Sequence, residues 1–82
     1  MRYARNPSVL WRSTSRGPVL LGPDQDRPEL LGGQAAVVWE VLDEPGTVAD
    51  IAAAAQALVP SIDGVDRAID ELRRLGLIDV WT

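Results

Sequence analysis

The residue types that carry most enzyme chemistry are missing from this chain. Its 82 residues include neither cysteine nor histidine, which excludes a thiol nucleophile, an imidazole base, a disulfide and the usual zinc site. Carboxylate, arginine and hydroxyl groups remain, and their spacing matches no catalytic pattern. We therefore expect a protein that is not an enzyme and that uses no metal and no cofactor.

Main-chain hydrogen bonding is the chemistry that the sequence offers most clearly. Residues 28–31, Pro-Glu-Leu-Leu, predict a very short strand, and its proline favours the edge of a sheet. An edge strand has free N–H and C=O groups that can accept an extended peptide as a further strand. Leu30 and Leu31 should point to opposite faces. The alternative is that proline and short length only protect the edge from aggregation.

Two further strands are predicted before this one. Apolar and polar residues alternate over 8–13, and a more uniformly apolar segment follows at 18–22. Leu10, in the first of them, is expected to matter mainly for folding. Residues 1–7 show no periodicity and are expected to be a flexible lead-in. Residues 8–82 then form one domain, in keeping with the chain length.

The second half of the chain predicts three helices. Apolar residues at helical spacing predict a central core helix over 35–44, which ends before Pro45. Thr47 and Asp50 have nearly the spacing of a capping box for a second helix over 48–59.

The third predicted helix is amphipathic. Ser61 or Asp63 is expected to cap its start, and Gly76 with Leu77 to end it in a Schellman motif. The buried stripe of this third helix is expected to be Val65, Ala68, Ile69, Leu72 and Leu75. After the helix, a weak alternation over 77–81 indicates a last short strand. Together the elements predict an α+β fold, a winged helix-turn-helix with three short antiparallel strands followed by three helices.

Charge limits the range of partners. The net charge is −4, and most carboxylates follow Pro28, whereas most arginines precede it. The exposed face of the third helix carries more carboxylates than arginines, which is the wrong sign for DNA. No segment has the length or apolar character of a membrane span or signal sequence, so we expect a cytoplasmic protein.

Five segments of the chain form an ordered set: Val-Leu-Leu at 19–21, Glu-Leu-Leu at 29–31, Ala-Ala-Val-Val-Trp-Glu-Val-Leu-Asp at 35–43, Thr-Val-Ala-Asp-Ile at 47–51 and Leu-Arg-Arg-Leu-Gly-Leu-Ile at 72–78. This set resembles the PqqD-like family, the peptide-recognition elements of pathways that modify ribosomally made peptides. Similar proteins bind leader peptides in lasso peptide and radical-enzyme pathways. Gly32 departs from the family, whose members commonly have a polar residue there.

The resemblance implies that the leader segment of a precursor peptide pairs antiparallel with the third strand and packs against the third helix. The chain would deliver this peptide to a separate modifying enzyme or leader protease, without binding nucleic acid or membrane. The alternatives are a winged-helix transcriptional regulator that binds DNA and, more weakly, an interaction domain without a groove. The expected peptide-binding residues are Arg27, Pro28, Glu29, Leu30, Leu31, Val65, Asp66, Ala68, Ile69, Leu72 and Arg73.

Overall fold

The computed structural model describes residues 1–81 and shows a small α+β domain with antiparallel strands and three helices. Four strands precede the helices and one follows them. In chain order the elements are β1 (Arg2–Arg5), β2 (Leu10–Thr14), β3 (Gly17–Leu21), β4 (Glu29–Leu30), α1 (Gly33–Val41), α2 (Val48–Leu58), α3 (Val65–Arg74) and β5 (Ile78–Trp81).

Strands β2, β3 and β4 form one antiparallel sheet with β3 in the middle. They confirm the three strands predicted from the alternation, with ends shifted by one or two residues. The inner face of this sheet packs on α1: Leu20 is completely buried, and the ring of Trp11 meets that of Trp39 edge-on, with 5.6 Å between centroids.

Helix α1 is the centre of the core, as its apolar periodicity predicts. Val38 and Trp39 have no exposed surface. The helix ends at Val41, earlier than the predicted residue 44. The core cluster has fifteen buried apolar residues from all parts of the chain, including these two: Tyr3, Val9, Leu20, Leu31, Val38, Trp39, Leu42, Ile51, Ala55, Val65, Ala68, Ile69, Leu72, Leu77 and Ile78.

The ends of the other two helices follow local sequence signals. Thr47 and Asp50 form the predicted capping box of α2: the Asp50 N–H donates to Thr47 Oγ1 at 3.2 Å, and Asp50 Oδ2 accepts from the Thr47 N–H at 3.1 Å. Helix α3 ends in the predicted Schellman motif, because the Gly76 N–H donates to the Arg73 carbonyl and the Leu77 N–H to the Leu72 carbonyl, both at 3.0 Å. Gly76 has a φ of 73°, which a residue with a side chain rarely adopts.

The start of α3 differs from the prediction. Its N-cap is Gly64, with a φ of 67° and no side-chain hydrogen bond, and not Ser61 or Asp63. Asp63 lies one residue before the N-cap position, and its carboxylate accepts a hydrogen bond from Gln34 Nε2 of α1 at 3.4 Å. The turn before α3 is therefore tied to the neighbouring helix.

Residues 1–7 do not form the expected flexible lead-in. Arg2–Arg5 is strand β1, which pairs antiparallel with β5 in a separate two-stranded sheet. Tyr3 is buried and exchanges two main-chain hydrogen bonds with Gly46, at 2.7 and 3.0 Å. Four residues are too few for a clear period, and the partner strand lies at the other end of the chain. The predicted order of three strands followed by three helices is incomplete for the same reason, although a strand near 77–81 was expected and is confirmed as β5.

Arg5 connects β1 to the end of α1. Its guanidinium donates to the Trp39 carbonyl from Nε at 3.0 Å and from Nη2 at 2.6 Å, and from Nη2 to the Glu40 carbonyl at 3.3 Å. The same group lies 4.5 Å from the ring centroid of Trp11 and 4.8 Å from that of Trp39. Burial lowers the pKa of Arg5, while the carboxylates of Glu40 and Asp43 act in the opposite direction.

Candidate functional site

Strand β4 leaves one edge of the three-stranded sheet open. Leu20 is opposite Glu29, and the Leu31 N–H donates to the Pro18 carbonyl at 2.9 Å. In an antiparallel ladder the residues that bond to the neighbouring strand alternate with residues that do not. Glu29 therefore directs its main-chain groups to β3, whereas Leu30 directs its N–H and C=O to the open side.

The open edge continues past the end of β4. Gly32 is still extended, with φ −133° and ψ 171°, so alternation places its N–H on the same side as that of Leu30. Pro28 contributes a carbonyl to this side but has no N–H to donate. The edge therefore presents two donors, the N–H groups of Leu30 and Gly32, and two acceptors, the carbonyls of Pro28 and Leu30. An incoming strand can pair with all four groups.

The two leucines of this segment have opposite environments, as the strand period predicts. Leu31 is only 5% exposed and lies in the core, whereas Leu30 is 47% exposed. Gly17 supports the position of Leu31 by close approach, because a Cβ at Gly17 would lie 2.7 Å from the Leu31 carbonyl oxygen. The edge residue is thus free to contact a partner while its neighbour fixes the strand to the core.

A cleft of about 570 Å³ separates the end of this edge from α3. It begins at Gly32, and Ala68 of α3 contributes to its lining. Three carboxylates and one arginine line it, which makes it polar and mainly acidic. The complete lining is Gly32, Gln34, Ala35, Asp63, Gly64, Asp66, Arg67, Ala68 and Glu71.

The structure divides the predicted peptide-binding residues into two groups. Arg27, Pro28, Leu30, Asp66 and Arg73 are exposed, and Glu29 is partly exposed. Leu31, Val65, Ala68, Ile69 and Leu72 are buried in the core, each at most 7% exposed. The second group offers a partner almost no surface, because the apolar stripe of α3 is used against the rest of the core.

The part of α3 that lines the cleft overlaps only in part with the part predicted. Asp66 and Ala68, which were among the expected contacts, line it together with Arg67 and Glu71, which were not. Arg73 lies with Asp70 and Arg74 along a separate shallow depression. The helical period could have identified Arg67 and Glu71 in the sequence. These two residues are one turn apart, and the small residues Gly64 and Ala68 beside them are also one turn apart.

Two other kinds of site are absent from residues 1–81. No group of three or more carboxylates in this part of the chain is arranged to hold a metal ion. No helix there has both the length and the apolar character that crossing a bilayer requires. Comparisons with models of protein families, with curated proteins and with solved structures found no match.

Proposed function

We propose that this protein binds an extended segment of a precursor peptide by strand addition to β4, and that it presents this peptide to a separate modifying enzyme or leader protease. The observation that carries the proposal is the open edge at Leu30 and Gly32 next to a cleft bounded by α3. Strand addition provides affinity through the main chain, and neighbouring side chains provide specificity. The protein itself needs no catalytic group for this role.

The sequence resemblance supports the same assignment. The family arrangement has three strands, three helices and a peptide between the third strand and the third helix. In this chain those elements correspond to β2, β3 and β4 followed by α1, α2 and α3. We therefore propose a winged helix-turn-helix arrangement to which β1 and β5 add a separate two-stranded sheet. This sheet pairs the first and last elements of the described chain.

Pairing with β4 would make successive side chains of the bound peptide point alternately to the two faces of the sheet. Peptide side chains on the same face as Leu31 would point towards α3, and those on the same face as Leu30 would point away from it. Asp63, Asp66 and Glu71 outnumber Arg67 in the cleft. We expect a lysine or arginine of the peptide to be preferred there, since unlike charges favour one partner and one direction of binding.

An amide NMR titration tests the proposal directly. The labelled protein would be titrated with synthetic peptides of about 20 residues, long enough to pair with the edge and to reach α3, taken from the N-terminal parts of short open reading frames near its gene. Saturable shifts at residues 29–32 together with Arg67 and Glu71 would support the proposal. Shifts confined to α3 that appear only with duplex DNA would instead favour a transcriptional regulator.

Two substitutions at Leu30 separate main-chain from side-chain binding. Leu30→Ala and Leu30→Pro both remove the leucine side chain, but only proline also removes the outward N–H. Since that N–H is not used by β3, the edge strand should tolerate proline. We expect Leu30→Pro to weaken peptide binding about tenfold more than Leu30→Ala, the effect of about 1.4 kcal/mol from a lost hydrogen bond.

Calorimetric titration of both variants measures the difference, and circular dichroism checks that both remain folded. Equal affinities for the two folded variants would show that the peptide does not pair with this edge. Leu31→Asp is unsuitable for the purpose, because it places a carboxylate in the core.

A further inference from the structure

The outer face of the β2–β3–β4 sheet is apolar, although no part of residues 1–81 covers it. We use the term outer sheet face for Leu10, Arg12, Val19, Leu21 and Leu30. The register places Leu10 beside Leu21 and Arg12 beside Val19, and Val19 beside Leu30. The side chains of these neighbouring pairs therefore share one surface, opposite the face that packs on α1.

This surface is unusual for a sheet whose other face is already packed. An antiparallel sheet with one buried face normally alternates apolar residues inward with polar residues outward. Here Leu10 is 70% exposed and Leu30 is 47% exposed, while Val19 and Leu21 are half-buried. A shallow depression of about 270 Å³ is lined by Leu10, Trp11, Arg12, Val19, Leu20, Leu21 and Pro28. Contiguous exposed apolar surface is a feature of protein and membrane interaction sites.

The dimensions of the outer sheet face fit one helix. Three strands about 4.8 Å apart are roughly 10 Å wide, and five extended residues are roughly 17 Å long. A helix with its side chains is about 10–12 Å across, and about 11 residues of it cover that length. Packing a helix on a sheet is also the ordinary way to bury an apolar sheet face.

Arg12 defines the charge of the partner. It is the only charged residue of the outer sheet face, and no carboxylate belongs to that face. A carboxylate within the apolar stripe of a docking helix would pair with it in a partly desolvated contact, where such pairs are strong. We propose that the outer sheet face docks an amphipathic helix of a partner protein, whose apolar stripe carries one carboxylate that pairs with Arg12.

Two other occupants fit the charges less well. A second copy of the chain would place another Arg12, and no carboxylate of the face itself, against the first. An anionic membrane would meet a protein with a net charge of −4, and the loop between β3 and β4, with Asp24, Asp26 and Arg27, adds no net positive charge.

The inference goes beyond the proposed peptide site, because four of the five residues of the outer sheet face are on β2 and β3, and only Leu30 also belongs to the edge proposed for the peptide. A strand added to β4 extends the sheet in its own plane, whereas a helix lies over the face, so the two can be bound together with Leu30 in contact with both. This arrangement would let a partner protein contact the peptide residues that point away from α3.

The test uses the full chain and two synthetic helical peptides. Both peptides are of about 14 residues, with leucine at i, i+3, i+4 and i+7, and they differ by glutamate or lysine at one position in the stripe. We expect amide shifts at Leu10, Arg12, Val19 and Leu21, with roughly tenfold tighter binding of the glutamate peptide. In Arg12→Glu the preference should reverse.

Several outcomes would overturn the inference. These are the absence of shifts at about 1 mM peptide, where even weak binding is visible, shifts elsewhere, or equal affinity for the two peptides. Dimerisation seen by light scattering without peptide, or binding to phosphatidylglycerol vesicles that exceeds binding to either peptide, would assign the face to another occupant.

Leu10→Asp makes the two binding sites distinguishable. It should abolish binding of the helical peptide while leaving the binding of a strand peptide unchanged, because Leu10 does not contact β4. Failure of the strand peptide to bind in any variant would therefore contradict the proposed function alone. If folded Leu10→Asp bound neither the helical peptide nor the strand peptide, the two binding surfaces would not be separate.

Discussion

At the scale of single residues, Arg5 supplies a positive charge that helix α1 lacks at its own C-terminus. The last turn of α1 has no basic residue, and Glu40 adds a negative charge near the exposed carbonyls. The guanidinium from β1 donates hydrogen bonds to the carbonyls of Trp39 and Glu40, where a cation is favoured by the helix dipole. The rings of Trp11 and Trp39 add cation–π contacts.

Replacement of Arg5 should therefore destabilise the protein. We expect Arg5→Ala to lower the free energy of unfolding by about 2–3 kcal/mol, the combined effect of charged hydrogen bonds and ring contacts. Arg5→Lys should lose less, since it keeps the charge but not the planar donor pair. Urea denaturation measures both, with the exposed Arg16→Ala as control. Equal stability of Arg5→Ala and the wild type would show that this contact contributes nothing.

Asp50 makes the stability of α2 dependent on pH. The hydrogen bond from the Thr47 N–H lowers the pKa of the Asp50 carboxyl, with further contributions from the Thr47 side chain and from Arg2. A carboxyl with a folded-state pKa below its unfolded value stabilises the protein above the unfolded pKa, and this contribution is lost as the pH falls through the folded value.

Asp50→Asn removes this titration. We expect the difference in urea midpoint between Asp50→Asn and the wild type to be largest near neutral pH and to shrink below about pH 4, where free aspartic acid titrates. Denaturation curves at a series of pH values measure it, with the exposed Asp24→Asn as control. A difference that stays constant or grows on acidification would contradict the assigned cause.

The exposure of Leu10 corrects another expectation at this scale. Its place in a predicted strand led to the expectation that Leu10→Asp mainly affects folding. The side chain is 70% exposed because it lies on the outer sheet face, which removes the burial on which that expectation depends. A polar residue at this position should be tolerated by the fold, and its effect should appear in binding to a partner.

At the scale of elements, β1 is a structural part of the domain. Its pairing with β5 joins the two ends of the described chain, and the hydrogen bonds of Tyr3 to Gly46 hold it against the turn between α1 and α2. The strand also carries Arg5. One short element therefore contacts the loop, the first helix and the last strand.

Deletion of residues 1–5 should consequently prevent stable folding. The loss of the Tyr3 side chain alone would cost about 3–5 kcal/mol, against a total stability of about 4–12 kcal/mol for a domain of this size. We expect loss of the cooperative thermal transition by circular dichroism, whereas Met1→Ser should leave it unchanged. A truncated chain with the melting temperature of the intact chain would show that the segment is dispensable.

Helix α3 illustrates how one element divides its surface between stability and binding. Its apolar stripe is entirely used in the core, so the surface left for a peptide is polar. Arg67 and Glu71 line the cleft, and Arg73 lies on another part of the helix surface. A peptide bound there would be selected by charge more than by apolar contact.

At the scale of the whole molecule, two surfaces with different chemistry lie on one small sheet. The edge of β4 offers main-chain hydrogen bonds beside an acidic cleft, and the outer sheet face offers apolar contact around Arg12. They meet only at Leu30, because one uses main-chain groups in the plane of the sheet and the other uses side chains above it. A protein that holds a peptide for another protein needs two such surfaces.

The sequence by itself determined the features that depend on neighbouring residues. The capping box of α2 and the Schellman end of α3 could be predicted because their hydrogen bonds join residues within one turn. The strands and the core helix could be predicted because their periods are local. The opposite environments of Leu30 and Leu31 follow from the strand period as well.

Only the tertiary structure decided the features that depend on distant residues. Strand β1 exists because β5 lies beside it, and Arg5 has its role because α1 ends there. Gly64 occupies the N-cap position of α3, and the carboxylate of the expected cap Asp63 contacts Gln34 of a different helix. The sequence identifies the apolar stripe of α3 but does not show whether the protein core or a bound peptide covers it, since helical spacing is the same in both cases.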